Sequence, residues 1–277
     1  MKNGIFHHTL GGLNAGLQVW HIAASPLITC DAQDECANVL ARRDLQEFDY
    51  IPVTRKGKII GVLERDKAKS EGTVEEQMRT LEESLLVAAQ TPLLWFIREL
   101  GNEPYRLVVK DGFIDGIVTR SDLQKLPVRL LTFAYITQLE MLMAQAVRHA
   151  NLSENQWLDL LNQNRRKKIF KKREILQIQR LDPPLLELTE FSDKAIIVNK
   201  LYGFGIDFKH DMKRIKELRN KIAHAATYVD TEQEVQNFVE IIRKMDYWIN
   251  ELSKIIIDEN RYPEKEHHYL NSSEAHF

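Results

Sequence analysis

The spacing of apolar and polar positions divides the chain into two parts. In residues 20–127, strand-like runs such as DYIPVT and YRLVVK alternate with helical runs such as AQDECANVLARRD and VEEQMRTLEESLLVAA. This alternation is typical of an α/β arrangement. The pattern changes near residues 126–129, so we predict a first domain over residues 1–127 and a different kind of domain after it.

From residue 128 onward the pattern predicts helices alone. One run, LLTFAYITQLEMLMAQAVRHA, is almost entirely apolar and is expected to lie centrally. A later stripe repeats at steps of three and four, which indicates a helix with one buried face. Its residues are Val235, Phe238, Val239, Ile242, Met245, Trp248/Ile249, Leu252 and Ile255/Ile256. The predicted fold class is therefore an α+β multidomain protein, with an all-α bundle over 128–262 and a flexible tail over 263–277.

Two segments of the first part resemble each other. YIPVTRKGKIIGVLE (50–64) and YRLVVKDGFIDGIVT (105–119) each predict a strand, a Gly-containing turn and a second strand. Identical residues occupy the aligned pairs Tyr50/Tyr105, Val53/Val108, Gly57/Gly112, Ile59/Ile114 and Gly61/Gly116. One hairpin with one flanking helix cannot bury its apolar face alone, so the two copies are expected to pack together.

The second copy continues into GIVTRSDL (116–123), which resembles the C-terminal signature of CBS domains, Gly-apolar-apolar-Thr-x-x-Asp-Leu. The resemblance covers about residues 20–127. It implies a tandem CBS pair whose cleft binds an adenine nucleotide in many members. Asp122 would accept hydrogen bonds from the ribose hydroxyls, while Thr119 and Arg120 would contact phosphate or sugar oxygens. Gly116 would permit a close approach of the backbone.

The first copy departs from this signature. Its equivalent segment, GVLERDKA, has Glu64 where Thr is expected and Lys67 where Asp is expected. We therefore predict at most one well-formed nucleotide site, built on Thr119 and Asp122. The alternative is that both clefts are empty and the pair only dimerises.

Composition narrows the class of protein. Hydrophobic residues make up 44% of the 277 residues, and the net charge of -2 gives no overall attraction to nucleic acid or membrane. Apolar runs stay below the ~18 residues that cross a bilayer, so no membrane segment is predicted. Cys30 and Cys36 have no zinc-ligand spacing and are expected to be reduced, semi-buried thiols. These features predict a cytoplasmic globular protein without a metal site.

A second motif lies in IKELRNKIAHA (215–225), which brings Arg219, Asn220 and His224 close together in sequence. On a helix, the core-facing stripe would consist of Met212, Ile215, Leu218, Ile222 and Ala225. His224 would point about 200° away from Ile222, so it is not a histidine of that buried stripe. A solvent-exposed polar face has the same spacing, and spacing alone favours it.

Arg-x4-His with Asn directly after the Arg is similar to the ribonuclease motif of the HEPN superfamily, and the helices over about 128–260 suit that fold. The resemblance implies a homodimer that brings two motifs into one cleft. There Arg219 would hold the scissile phosphate, His224 would exchange a proton with a 2′-hydroxyl, and Asn220 would orient the His or the RNA. No catalytic cofactor or metal is implied. Two roles stay open for Glu140: pairing with Arg219, or capping the cleft.

A basic block supplies a candidate RNA contact. Residues 165–180 contain eight Lys or Arg and one Glu, a net charge of +7. Such a block attracts phosphates, although it is more often a solvated helix face. The candidate RNA-binding residues are Arg165, Arg166, Lys167, Lys168, Lys171 and Lys172.

Two functions are open at this point. The first is a metal-independent endoribonuclease that cuts single-stranded RNA as a homodimer, leaves a 2′,3′-cyclic phosphate and responds to an adenine nucleotide on the CBS pair. Such a layout resembles prokaryotic stress or antiviral defence effectors. The second is a non-catalytic, dimeric, adenine-nucleotide-binding adaptor, which the short motif and the degenerate first copy favour.

Overall fold

A computed structural model describes residues 12–257 of the chain, except residues 14 and 102. The tail predicted over 263–277 lies outside the described residues. The chain forms two compact units. The first consists of Met1–Ala134 and Lys221–Ile242, and the second consists of Tyr135–Asn220 and Arg243–Phe277. Each unit is therefore assembled from two separate stretches of sequence.

The first unit contains two small mixed sheets. The first sheet has the order β1-β2-β3-β4, with β1 (Cys30–Asp31), β2 (Tyr50–Arg55), β3 (Lys58–Glu64) and β4 (Arg79–Thr80). The second has the order β5-β6-β7, with β5 (Leu86–Ala88), β6 (Tyr105–Lys110) and β7 (Phe113–Thr119). Short helices accompany the sheets: α1 (Cys36–Ala41), α2 (Val74–Gln77) and α3 (Leu93–Arg98). In each sheet a parallel strand pairs with the first strand of an antiparallel hairpin.

The two hairpins have the same register, residue for residue. Tyr50 pairs with Glu64 as Tyr105 pairs with Thr119, and the register shifts at the same place in both ladders. Both turns contain two consecutive residues with positive φ, which is the conformation of a type I′ turn. These are Lys56 and Gly57 in the first hairpin, and Asp111 and Gly112 in the second. The predicted structural repeat is confirmed.

The helix predicted over residues 74–89 is wrong beyond its first turn. Only α2 is helical, and β4, a 3-10 turn over Glu83–Leu85 and β5 occupy the rest. The reason is tertiary: β4 completes the first sheet beside β3, and β5 begins the second sheet beside β6. Pairing with strands elsewhere in the sequence overrides a local helical spacing.

After residue 125 the described residues contain helices and no strand. The α-helices are α4 (Leu126–His149), α5 (Glu154–Leu158), α6 (Gln163–Ile178), α7 (Phe191–Tyr202), α8 (Gly205–Ala223) and α9 (Glu232–Ile257). Every residue of the predicted stripe on α9 is buried except Ile256, which is half-buried. Gly203 follows α7 with φ 67°, the left-handed conformation that commonly ends a helix. The mostly helical second part is therefore confirmed.

An aromatic cluster forms part of the core of the second unit. The ring of Trp248 lies 5.2 Å from that of Phe204 and 4.8 Å from that of Phe208, measured between ring centroids. The Trp248 Nε1–H donates a 2.8 Å hydrogen bond to Asp211. Aromatic burial of this kind provides a large share of core stability, and the hydrogen bond satisfies the buried indole.

Helix α4 has the length and composition of a membrane-spanning helix, with a hydropathy of 1.3. In the structure 61% of its most apolar window is buried. A core helix of a soluble protein has the same properties, so α4 is weak evidence for a membrane. The absence of a membrane segment stays a prediction.

Candidate functional site

The segment predicted to bind a nucleotide lies where β7 ends and the 3-10 helix Arg120–Gln124 begins. The Oδ2 atom of Asp122 accepts hydrogen bonds from the Thr119 backbone N–H at 2.6 Å and from the Thr119 hydroxyl at 2.9 Å. Its Oδ1 atom lies 2.8 Å from the Lys125 ammonium. The carboxylate predicted to bind ribose is therefore held by its own chain, in the manner of a capping box.

Little open space lies beside this segment. A cavity of about 10 Å³ is lined by Thr119, Arg120, Tyr105 and Arg106 among others. That volume holds about one water molecule, far less than a nucleotide. Burial raises the pKa of Tyr105 to about 12 and lowers the pKa of Arg106, because burial disfavours the charged form of each side chain. A nucleotide would enter this cavity only if the lining side chains moved.

A close approach was predicted at Gly116, and in the structure residues 23–24 of the same chain lie against this glycine. A Cβ atom added at Gly116 would lie 3.2 Å from the Ala23 Cβ and 3.3 Å from the Ala24 carbonyl oxygen. Ala24 also pairs with Ile117 in an antiparallel bridge. Glycine at this position therefore allows residues 23–24 to cover β7.

The matching end of the first hairpin has different chemistry. Glu64 occupies the position that corresponds to Thr119, is 7% exposed and forms an ion pair with Lys67. An ion pair of this kind satisfies the Glu64 carboxylate within the chain. The single candidate nucleotide site consequently depends on the second hairpin.

A loop that follows α8 is bonded to the signature segment within the first unit. The Tyr228 hydroxyl donates a 2.6 Å hydrogen bond to the Leu123 carbonyl oxygen, and the Gln124 side chain donates a 3.2 Å bond to the Val229 carbonyl oxygen. Tyr228 is buried, and burial raises its pKa, so its hydroxyl remains a donor at neutral pH. The sequence motifs gave no signal for this contact.

Two cations strengthen the same connection. Arg129 donates a 3.1 Å hydrogen bond to the Ala226 carbonyl oxygen, and its guanidinium lies 5.0 Å from the centre of the Tyr228 ring. Arg120, predicted to contact the nucleotide, lies 3.4 Å from the Glu232 carboxylate. Residues 226–232 thus contact both the signature segment, through Arg120, and the start of α4, through Arg129.

Helix α8 ends in a Schellman motif. The Ala226 N–H donates to the Lys221 carbonyl at 2.9 Å, and the Ala225 N–H donates to the Ile222 carbonyl at 3.2 Å. Ala225 has a φ of 53°, a left-handed conformation that this motif usually assigns to Gly. The helix therefore ends at Ala223, before Ala225, the last residue of the predicted stripe.

His224 occupies the C-cap position of α8 and belongs to the first unit. Its side chain is exposed and has no hydrogen bond or ion pair with any other described residue. The prediction that it lies outside the buried stripe is confirmed. Ala225, predicted to be part of that stripe, is exposed, because the left-handed turn interrupts the helical periodicity.

Arg219 and Asn220 belong to the second unit, where Asn220 is exposed. The Arg219 guanidinium lies 3.9 Å from the Oε2 atom of Glu140 and stays 39% exposed. The Oε1 atom of Glu140 lies 3.1 Å from the Lys194 ammonium, which also donates to the Thr189 carbonyl at 2.8 Å. Of the two roles open for Glu140, the structure shows the ion pair with Arg219.

Arg165, the first cation of the basic block, is held by acidic neighbours on α7 and beside it. Its Nε and Nη2 atoms lie 2.8 Å and 2.6 Å from the two carboxylate oxygens of Asp193, which is 1% exposed. Burial raises the pKa of Asp193, but the hydrogen bonds from Arg165 and from the Glu190 backbone outweigh burial and hold this pKa below its usual value. Arg165 therefore stabilises the second unit.

The rest of the block lies on α6. Arg166 and Lys172 also have acidic partners, Asp159 and Glu190. Three exposed members form no ion pair with any described residue: Lys167, Lys168 and Lys171. The charge that remains for contacts with an external phosphate is smaller than the sequence alone suggests.

Metal-ligating residues do not cluster in the part of the chain that the structure describes, where no group of three or more His, Cys, Asp or Glu is found. Cys30 and Cys36 are free, as predicted, but they are fully buried rather than semi-buried. Burial raises the pKa of the Cys30 thiol to about 11 and also raises that of Cys36, so both thiols are protonated at neutral pH.

Comparison with known proteins gives a similarity for the N-terminal part alone. No protein-family model matches the chain, and no curated protein does. The CBS domain of a bacterial CNNM/CorC family Mg²⁺ transporter in complex with ATP is 18% identical, with a TM-score of 0.36, over 44% of this chain and 94% of that one. The CBS domains of a transcriptional regulator from Streptococcus pneumoniae are 17% identical, with a TM-score of 0.34, over 39% and 96% of the two chains. A hemolysin-like protein containing a CBS domain from Oenococcus oeni PSU is also 17% identical, with a TM-score of 0.34, over 43% and 94%. Similarities this low say nothing about the ligand or the activity of this protein.

Proposed function

We propose that this protein is a metal-independent endoribonuclease that acts as a homodimer on single-stranded RNA and is regulated by an adenine nucleotide bound to its N-terminal repeat pair. One observation carries the proposal. The Arg219 guanidinium lies 3.9 Å from the Glu140 carboxylate and is 39% exposed. A cation that is positioned in advance and open to solvent is suited to binding a phosphate as charge develops on it.

The proposed reaction uses side chains of the Arg-x4-His motif. The neutral imidazole of His224 takes the proton of a 2′-hydroxyl, and the 2′-oxygen forms a bond to the adjacent phosphorus. The bond from phosphorus to the 5′-oxygen breaks, and that oxygen receives a proton from the imidazolium of His224 of the partner subunit. The products are a 2′,3′-cyclic phosphate and a 5′-hydroxyl. Arg219 binds the charged phosphate oxygens, and Asn220 orients the RNA or the His.

The contacts of residues 226–232 support control by a nucleotide. Arg120 and Leu123 of the signature segment contact Glu232 and Tyr228, which follow His224 closely in the chain. A ligand that favoured one arrangement of the signature segment would therefore bias this loop as well. Regulation of a cytoplasmic nuclease in this way suits a role in stress response or antiviral defence.

The second candidate is a non-catalytic, dimeric adaptor that binds an adenine nucleotide. The observation in its favour is the Lys194–Glu140–Arg219 cluster, because the same ion pairs would serve to hold helices together without any chemistry. In that case His224 is an ordinary exposed cap residue.

Cleavage of single-stranded RNA in EDTA, with and without ATP, ADP or AMP, tests the proposal. We expect the wild type to release products with 2′,3′-cyclic ends, and His224→Ala and Arg219→Ala to lose about 100-fold or more in rate. His210→Ala is the matched control, since His210 is another exposed histidine of α8, and it should cleave normally. If the wild type and His224→Ala leave RNA equally intact under every condition, the adaptor is the better description. A stable monomer in sedimentation experiments would also contradict the proposal.

A further inference from the structure

A groove of about 710 Å³ lies in the second unit, lined by residues of α7 and α8. It is separate from the residues assigned to the proposed nuclease, and the inference below does not depend on that function. A volume of this size is in the range of binding sites, although volume alone does not identify a ligand. The chemistry of the lining residues is more informative.

The floor of the groove is apolar. Ala195 and Ile196 contribute from α7, and Phe208 and Met212 contribute from α8. Ile196 is 40% exposed, whereas the other three are buried. An exposed isoleucine in the lining of a concave surface offers a place for an apolar side chain of a partner to be buried.

The rim of the groove is cationic. Lys209, Lys213 and Lys216 follow one another at steps of four and three on α8, so they lie in one row about 10 Å long. All three are exposed, and none has a hydrogen bond or ion pair with another described residue. None of the described residues that line the groove is acidic. Like charges at this spacing destabilise a helix slightly, so the row is unfavourable unless something neutralises it.

These features identify the chemistry of an occupant. RNA fits poorly, because the aromatic residue in the lining, Phe208, is fully buried and offers no face on which a base can stack. A helix with one apolar row and one adjacent acidic row fits both surfaces, since its acidic residues would repeat at the same steps as the lysines. We propose that this groove binds an acidic amphipathic helix of a partner protein. Apolar anchors contact Ile196, and carboxylates pair with the three lysines.

A designed peptide tests this proposal on the full-length protein. The probe is a fluorescein-labelled helical peptide with leucines at i, i+4 and i+7 and a glutamate after each leucine, and binding is followed by fluorescence anisotropy. The triple substitution Lys209→Glu, Lys213→Glu and Lys216→Glu should weaken binding about tenfold or more. A peptide with lysines in place of the glutamates should recover binding to that variant.

The control has the same change in charge at another exposed site. The control variant reverses the charge of three unpaired lysines on α6 by the substitutions Lys167→Glu, Lys168→Glu and Lys171→Glu. It should bind the acidic peptide as the wild type does. Ile196→Asp should weaken binding of the acidic peptide to the otherwise wild-type protein, and also binding of the lysine peptide to the α8 triple variant. Equal peptide affinity for the wild type and the α8 triple variant would overturn the proposal. So would loss of single-stranded RNA binding, with peptide binding unchanged, in that variant.

Discussion

The hydroxyl of Tyr228 donates a 2.6 Å hydrogen bond to the carbonyl oxygen of Leu123, and this bond joins the loop after α8 to the segment that follows β7. Leu123 belongs to the CBS-like signature, whereas Tyr228 lies four residues after His224. The bond is buried, so water does not replace it easily if it is lost. Both residues belong to the first unit, so the bond stabilises that unit.

Tyr228→Phe should reduce the free energy of unfolding by about 1–2 kcal/mol, because it leaves the Leu123 carbonyl without its hydroxyl donor. The ring remains and keeps its contact with Phe238, whose centroid is 5.2 Å away. Urea unfolding measures this cost. Under the proposed function, the same variant should cleave RNA yet respond less to an adenine nucleotide. An unchanged response would show that the bond does not transmit the nucleotide signal.

Glu140→Gln tests whether the carboxylate positions Arg219. The substitution removes the charge beside Arg219 and leaves the nearly buried Lys194 without its acidic partner, so stability should fall by about 2 kcal/mol. RNA cleavage should fall as well, with the larger effect on kcat, since Arg219 is proposed to act on the developing charge.

Lys194→Met is the matched control for Glu140→Gln. It removes the other cation of the cluster and leaves Arg219 beside Glu140. We expect a change in stability with cleavage retained. If RNA cleavage falls in both variants in proportion to their loss of stability, the cluster is only structural.

The Arg165–Asp193 pair should make stability depend on pH. The folded-state pKa of Asp193 is lowered, so its contribution is present above the unfolded pKa of about 4 and is lost as the pH falls through the folded value. Arg165→Met leaves a buried carboxylate unpaired and should cost about 3 kcal/mol at neutral pH. The difference in the free energy of unfolding between the wild type and Arg165→Met should shrink as the pH falls towards about 4, because Asp193 then becomes neutral in the variant.

Urea unfolding over this pH range measures the difference. Arg173→Met is the control, since Arg173 pairs with the exposed Asp182. This variant should change the urea midpoint of unfolding little. A difference that stayed constant with pH would indicate that Arg165 acts through packing rather than through the charge of Asp193.

Periodicity predicted the parts of the fold that depend on local pattern. The α9 stripe and the two hairpins follow from helical spacing and strand alternation. Strands β4 and β5 were not predicted, because two or three residues carry no pattern and their partners are distant in sequence. The repeat alignment did predict which residues of the two hairpins correspond.

The candidate site was less accessible to sequence analysis, because its contacts join residues far apart in the chain. Arg-x4-His identified Arg219 and His224, and the lone acid on an apolar helix drew attention to Glu140. Nothing in the sequence indicated that Tyr228 contacts the signature segment, or that acidic neighbours pair with Arg165 and Arg166. Side-chain partners of this kind are set by tertiary packing.

Ala225 offers a test of the helix end beside His224. Its φ of 53° is unfavourable for any residue with a Cβ atom, and Gly adopts that conformation without steric cost. Ala225→Gly should therefore raise the free energy of unfolding by about 1 kcal/mol. Ala223→Gly, made in the last turn of the same helix, should lower it by about 0.5–1 kcal/mol, because Gly loses more backbone entropy in a helix. Urea unfolding of the two variants gives the comparison, and opposite signs are expected. If both substitutions destabilise the protein, α8 continues past Ala223 in solution, and His224 projects from a helical turn rather than from its cap.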